Sequence, residues 1–192
     1  MKKIGITGGI GSGKTTVCKF FEILGIPVFY ADTAAKQVMD SDLLLKSGLI
    51  DAFGKDVFNH DGLNRKHLAN IVFNDKGKLQ LLNSLVHPAV FRSFDAWVAG
   101  QNAPYVLKEA ALLFESGSYK ACDETILVKA PLELKLKRVI KRDSISAEEV
   151  KARMDRQMSD QEKAKLSGHL IINDELNLVI PQVLSLHHYF LS

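Results

Sequence analysis

Gly8-Gly9-Ile10-Gly11-Ser12-Gly13-Lys14-Thr15 is the stretch on which the reading of this chain turns. It spells G-x-x-x-x-G-K-[ST], the phosphate-binding P-loop, and it has the context that motif requires. Before it lies the apolar run Ile4-Gly5-Ile6, part of a buried first strand over Lys2 to Thr7. After it comes a helical pattern from Thr15 to Leu24, closed by Gly25. The residue types follow from the chemistry. Glycines let the backbone turn tightly and aim successive N–H groups inward as an anion-holding nest. The N-terminus of the next helix adds about half a positive charge. Lys14 is expected to reach the β- and γ-phosphates, and the Thr15 hydroxyl to bind Mg²⁺. Gly9, Gly11, Ser12, Gly13 and Thr16 complete the expected nucleotide-binding set.

Composition sets the frame. A length of 192 residues suits one domain, with room for insertions. A chain of this size buries roughly 70% of its unfolded surface and needs no staples. Hydrophobic content of 46% and charged content of 24% are those of a soluble globular protein. Cys18 and Cys122 form no C-x-x-C, so neither a disulfide framework nor a zinc site is implied. No apolar run approaches membrane-spanning length and no signal peptide precedes the first strand, which reads as cytoplasmic. The net charge of +3 is too small to argue for nucleic acid. Its distribution is more telling: from Lys129 to Lys165, eleven lysines and arginines stand against seven acidic residues. A locally basic stretch in a phosphate-binding chain suits a polyanionic small molecule.

Moving outward, Pro27 to Tyr30 reads as a second strand ending at Ala31-Asp32. In an open α/β sheet ligands bind beyond the carboxyl ends of the strands. Asp32 is thus a candidate catalytic carboxylate, as well as a cap for a helix over Thr33 to Met39. Residues 33 to 99 read as almost wholly helical. Apolar spacing marks faces at Leu43 to Phe53, Leu68 to Val72 and Leu79 to Val86. A further helix is expected to open at Pro88 and carry Val90, Phe91, Phe94 and Trp97. A helical block of about 60 residues exceeds a normal crossover and reads as an inserted substrate-binding subdomain. Arg65 and His87 are its notable polar residues.

Strands are expected again at Tyr105-Val106-Leu107, at Glu124 to Val128 and at Leu170-Ile171-Ile172. Glu109 closes the first of these and is a candidate for orienting a Mg-bound water. Between the last two, Pro131 opens a charged helix with Arg138 and Arg142 on one face. Ala147 to Met158 reads as a second charged helix, with Arg153 and Gln157 four apart. A final helix spans about Leu176 to Leu191. The order implies a doubly wound α/β fold of the P-loop NTPase type: a five-stranded parallel sheet covered by helices on both faces. Residues 1–31, 100–137 and 167–192 would form the nucleotide-binding core, 32–99 the helical substrate subdomain and 138–166 a helical lid.

A guanine-reading N-K-x-D is absent, and the D-x-x-G at Asp51-Ala52-Phe53-Gly54 falls in the helical insertion. Leu166-Ser167-Gly168 is too close to the end for a transporter-type ATPase signature. An acceptor subdomain and a cationic lid instead suit a small-molecule kinase, in which positioning and charge stabilisation do most of the chemistry. Another nucleoside or nucleotide kinase and a non-catalytic nucleotide-sensing module are the alternatives.

Along nearly its whole length the chain resembles the dephospho-CoA kinases. The resemblance is carried by Ile6 to Val17, Ala31-Asp32, Leu63-Asn64-Arg65, His87-Pro88, Leu112-Leu113-Phe114-Glu115, Leu136-Lys137-Arg138, Arg142-Asp143, and Arg153 with Gln157. Tyr30, Asn64, Glu109 and Ala111 depart from the residues most frequent at those places. The resemblance implies ATP-dependent phosphorylation of the 3′-hydroxyl of dephospho-CoA, the last step of coenzyme A synthesis, by an ATP- and Mg²⁺-dependent transferase. It implies Asp32, Lys14 and Arg138 as catalytic residues, with Asp32 taking the 3′-hydroxyl proton. Arg138 and Arg142 would hold transferring phosphates, and Asn173 would lie near the adenine. Thr7, Asp32, Arg65, His87, Glu109 and Leu112 would contact the acceptor. The partners implied are ATP and dephospho-CoA, with no nucleic acid or membrane, for a monomer or weak homo-oligomer.

Overall fold

The structure, a computed structural model, describes residues 1–73 and 75–192. Its opening run forms β1 (Lys2–Thr7), followed through the glycine-rich loop by α1 (Lys14–Ile23) and β2 (Val28–Tyr30). The chain returns to the sheet with β5 (Tyr105–Glu109), β6 (Glu124–Lys129) and β7 (His169–Ile172). Elements between β2 and β5 are taken up below. All five strands run parallel in the order β2-β5-β1-β6-β7, with Ile4 level with Leu107 on one side and Ile6 level with Ile126 on the other. β1 is therefore central, and the loop that leaves it emerges where the connections diverge to the two sides, the crevice in which doubly wound sheets bind ligands.

The strands read as continuous apolar runs because both faces are covered. On one face Ile4, Ile6, Tyr105, Leu107, Ile126, Val128 and Ile171 pack against Val17, Cys18 and Phe21 of α1. The same layer takes Val183 and Phe190 from the last helix, α9 (Val179–Leu191). Burial pushes the Cys18 thiol well above its ordinary range, so Cys18 behaves as a small apolar residue. On the other face Leu113 presses so close to Gly5 that a Cβ there would lie 2.8 Å from it. Burial likewise raises the Cys122 thiol, which borders Gly5, to about 11.

Contacts divide the chain into two compact units, 1–30 with 101–192, and 31–100. The second is built from α2 (Ala31–Ser41), α3 (Leu43–Phe53), a small antiparallel hairpin of β3 (Phe58–Asn59) and β4 (Gly62–Leu63), α4 (Arg65–Phe73) and α5 (Lys76–Ala99). α5 packs against α2, α3 and α4, burying Val86, Ala89, Val90 and Phe94. Asp42 and Asp75 cap α3 and α5 by accepting N–H bonds from Leu45 and Lys78.

Residues 33–99 are almost wholly helical, as expected; the exception is the hairpin β3–β4, which turns at His60-Asp61 ahead of Gly62, at φ +110°. Three expectations are corrected. The helix expected to open at Pro88 is continuous with its predecessor, and Pro88 lies inside α5. Proline there removes one ladder bond, but the apolar stripe continues across it and packing holds the helix together. The helix expected over Ala147 to Met158 stops at Met154 as α7 (Ala147–Met154), and α8 (Asp160–Leu166) starts afresh. Ser159 and Glu162 exchange hydrogen bonds in a capping box that dictates the new start. The last helix opens at Val179, not Leu176, because the Asp174 carboxylate accepts the N–H groups of Leu176 and Asn177 in a turn.

The charged segment after β6 comprises α6 (Leu132–Asp143), α7 and α8, all in the first unit. Among the described residues, no helix is long and apolar enough to cross a membrane.

Candidate active site

The loop from Gly8 to Lys14 is held in shape before any ligand arrives. Ser12 N–H bonds back to the carbonyl of Gly9 at 3.1 Å, and Val17 N–H to that of Gly13 at 3.1 Å. Gly11 and Gly13 sit at φ +80° and +90°, left-handed conformations that only glycine adopts cheaply. Space demands glycine as well. A Cβ on Gly11 would stand 2.5 Å from the Lys135 carbonyl, and one on Gly13 only 2.2 Å from Asn173 Nδ2. Asn173 earns that approach by donating to the Ser12 carbonyl at 2.8 Å, while its own N–H bonds to Lys129 O at 2.8 Å. It thus ties the end of β7 to the loop.

Lys14 opens α1, and its ammonium donates to the Gly8 carbonyl at 3.0 Å. It also lies 4.0 Å from the carboxylate of Glu109, which is buried at the end of β5. Thr15 and Thr16 follow on the first turn of α1 and are exposed. The Ser12 hydroxyl is fully buried and makes no hydrogen bond. A buried polar group without a partner is costly, and one in a glycine-rich loop at a helix N-terminus fits a loop that takes an anion. The Thr7 hydroxyl donates to Ala111 O at 3.4 Å, which leaves the exposed Leu112 just beyond.

Cations approach the loop from α6. Arg138 donates to the Asn173 carbonyl at 3.2 Å and lies 3.2 Å from Glu175. Arg142 lies one turn on and is exposed, held in a fork on the neighbouring Asp143 at 2.7 and 3.0 Å. Arg153 of α7 donates to the same carboxylate at 3.1 Å. Those bonds, the Arg142 pair foremost, hold the Asp143 carboxyl below the usual aspartate range. Close to the loop, Lys135 pairs with Asp160 at 2.6 Å, and the Gln157 side-chain carbonyl accepts the Ile10 N–H at 3.0 Å. Gly9, Lys129, Lys135, Gln157 and Asp160 border a cleft of about 620 Å³.

The remaining predicted site residues belong to the other unit. Asp32 is exposed in the first turn of α2, two residues past β2. Arg65 opens α4 and is spent on Asp40 at 2.6 Å and the Lys36 carbonyl at 3.0 Å. His87 is half-buried in α5, with its ring 6.4 Å from that of Phe91. Within the first unit, by contrast, Thr7, the loop, Lys14, Glu109, Arg138 and Asn173 converge.

This convergence is matched by kinship. The family model described as dephospho-CoA kinase matches residues 2–177. The chain belongs to the dephospho-CoA kinase family. It is 42% identical over 178 residues to the dephospho-CoA kinase of Salinibacter ruber, spanning 91% of this chain and 89% of that one. Among solved structures it is similar to TT1252 from Thermus thermophilus, with a TM-score of 0.89, 34% identity and coverage of 100% and 98% of the two chains. The dephospho-CoA kinase of Campylobacter jejuni superposes with a TM-score of 0.69 at 29% identity, over 98% of this chain and 96% of that one. The fold is that of a P-loop kinase, and membership of this family makes the chain a kinase that uses ATP.

Two residues of this dephospho-CoA kinase family member escape a reading of sequence alone. Lys163 lies in a charged helix yet is fully buried, and Asp160 sits against Gly9. The Ser159 capping box signals where α8 begins, but not which side of it faces inward.

Proposed function

We propose that this kinase transfers the γ-phosphoryl group of ATP to the ribose 3′-hydroxyl of dephospho-CoA, yielding coenzyme A and ADP. The observation that carries this reading is the family match across residues 2–177, which spans the loop, the helical unit and the charged helices together. The bond made is from the ribose oxygen to the γ-phosphorus, the bond broken is that to the leaving ADP oxygen, and the hydroxyl proton passes to Asp32. Asp32 suits that role because it stands exposed just past the carboxyl end of a parallel strand.

Backbone N–H groups of Gly11, Gly13, Lys14 and Thr15 hold the β- and γ-phosphates, and Lys14 neutralises charge as it spreads over the transferring group. Thr16 adds a contact beside them. Mg²⁺ would be held by the Thr15 hydroxyl, with Glu109 orienting its water, and it supplies charge neutralisation to the phosphates when bound. Arg138 and Arg142, on one helical face, clamp the phosphates; segment 138–166 serves as a lid, α7 closing over them to keep water out while α8 stays anchored through Lys163. Asn173, already bound to the loop, borders the adenine. Thr7, Leu112, Arg65 and His87 contact the acceptor. The chain works in the cytoplasm as a monomer or weak homo-oligomer, without nucleic acid or membrane.

A panel of acceptors tests the reading. With ATP and Mg²⁺, dephospho-CoA is phosphorylated while dAMP and pantothenate are left untouched. Preferential phosphorylation of dAMP or pantothenate would assign a different kinase activity, and ATP binding without any transfer would leave a nucleotide-sensing module.

A further inference from the structure

The charged segment has a buried side that phosphoryl transfer, as derived above, leaves unused. Lys163 sits on the seven-residue helix α8, where a lysine ordinarily reaches water, yet none of its surface is exposed. Its ammonium donates to the Ala111 carbonyl at 3.0 Å and lies 3.0 Å from Glu115 Oε1. That same carboxylate oxygen accepts the Met158 N–H at 2.8 Å. Met158 adjoins Gln157, whose side-chain carbonyl accepts the Ile10 N–H at 3.0 Å within the phosphate loop. A chain of contacts therefore runs from one buried cation to the loop.

We propose that Lys163 is a positioning residue for phosphoryl transfer: through Glu115 and the backbone of Met158 it holds Gln157 on the Ile10 amide and so fixes the leading edge of the phosphate loop. The inference rests on the kinase reading above and deepens it. Between the end of α7 at Met154 and the start of α8 at Asp160 the chain is not helical, so the helix ladder does not set its course. The Glu115 carboxylate gives that turn a fixed anchor, and a buried ammonium keeps the carboxylate in place because charge-assisted bonds are the strong ones. Gln157 is suited to its end of the chain. A neutral amide oxygen satisfies a loop N–H without bringing a negative charge against a triphosphate, as a glutamate would.

Exchange of the Ile10 amide in the ligand-free protein reads the linkage without reference to any substrate. Gln157→Ala and Lys163→Met should each speed that exchange about five- to tenfold, the loss of one hydrogen bond, and leave the Ile6 amide of β1 unchanged. In steady-state assays both should lower kcat about tenfold and move KM for dephospho-CoA by less than twofold. The double variant should be no slower than Gln157→Ala alone, because both changes cut one chain. Lys163→Arg should restore part of the rate. If Lys163→Met fails to fold, Glu115→Gln takes its place with the same readouts. Unchanged Ile10 exchange, or rate losses that multiply to about a hundredfold in the double variant, would overturn the proposal. A protein that shows the Ile10 coupling but phosphorylates no dephospho-CoA would keep the linkage and remove the reading of the reaction.

Discussion

The phosphate loop and the charged helices that follow β6 both offer positive charge, but they hold it in different ways. In the loop the charge is backbone: N–H groups locked by the turns at Gly11 and Gly13, braced by Asn173, with Lys14 nearly buried beside Glu109. In α6 and α7 the charge is on long side chains. Arg142 and Arg153 lean on the half-exposed Asp143, where solvent screens the attraction. The first arrangement is rigid and ready for a ligand, as preorganised electrostatic stabilisation requires. The second is cheap to undo, as a clamp that must open and close requires. α8 stands between them, a charged helix whose Lys163 is held as tightly as anything in the loop.

That contrast can be broken at the rigid end first. Lys14→Ala removes the ammonium that opens α1 against the Gly8 carbonyl, and transfer should fall to background; normal turnover would contradict the assignment of the loop. Asp32→Asn should lower turnover roughly 10²–10⁴-fold while ATP affinity is kept, the range for a lost general base. A near-normal rate would remove Asp32 from the chemistry. Gly13→Ala should destabilise the fold by about 1–3 kcal/mol from backbone conformation alone, with the collision at Asn173 added. A melting temperature equal to that of the parent would show that the loop is softer than its contacts state.

At the compliant end the effects shrink. Arg138→Ala should depress kcat more than ATP affinity if its contact tightens only in the transition state, and an unchanged kcat would place Arg138 on a passive surface. The smallest effect belongs to Asp143. Its carboxyl titrates below the usual aspartate range because Arg142 binds the charged form, so whatever the pair adds to stability is present above the ordinary value and fades as pH falls through the lowered one. NMR titration of Asp143 should show that low midpoint, and Asp143→Asn at neutral pH should leave the melting temperature nearly unchanged. A large drop would mean that the arginines are fixed rather than parked.

The rigid end was also the legible end. A glycine-rich turn between a strand and a helix admits few backbones, so Gly8 to Thr15 could be placed from residue types and spacing. The five strands followed because sheets buried on both faces leave unbroken apolar runs such as Ile126-Leu127-Val128. Where local signals conflict with packing, the reading slipped. Pro88 is a strong helix-start residue, but the stripe from Val86 to Phe94 carries α5 straight through it. The hairpin at Asn59 to Gly62 is too short for alternation to be visible. In the charged segment, spacing could pair Arg138 with Arg142 but could not tell which cations face inward. Lys163 and Lys141 look alike in sequence, and only the tertiary partners Ala111 and Glu115 separate them.

The most direct test of the account follows one phosphorus atom. With ATP labelled at the γ-position and dephospho-CoA as acceptor, a single turnover should place the label on the 3′-oxygen of the product, one label per ADP formed, and Lys14→Ala should form none. Label released as free phosphate while dephospho-CoA is unchanged, or transferred at the parent rate by Lys14→Ala, would contradict it.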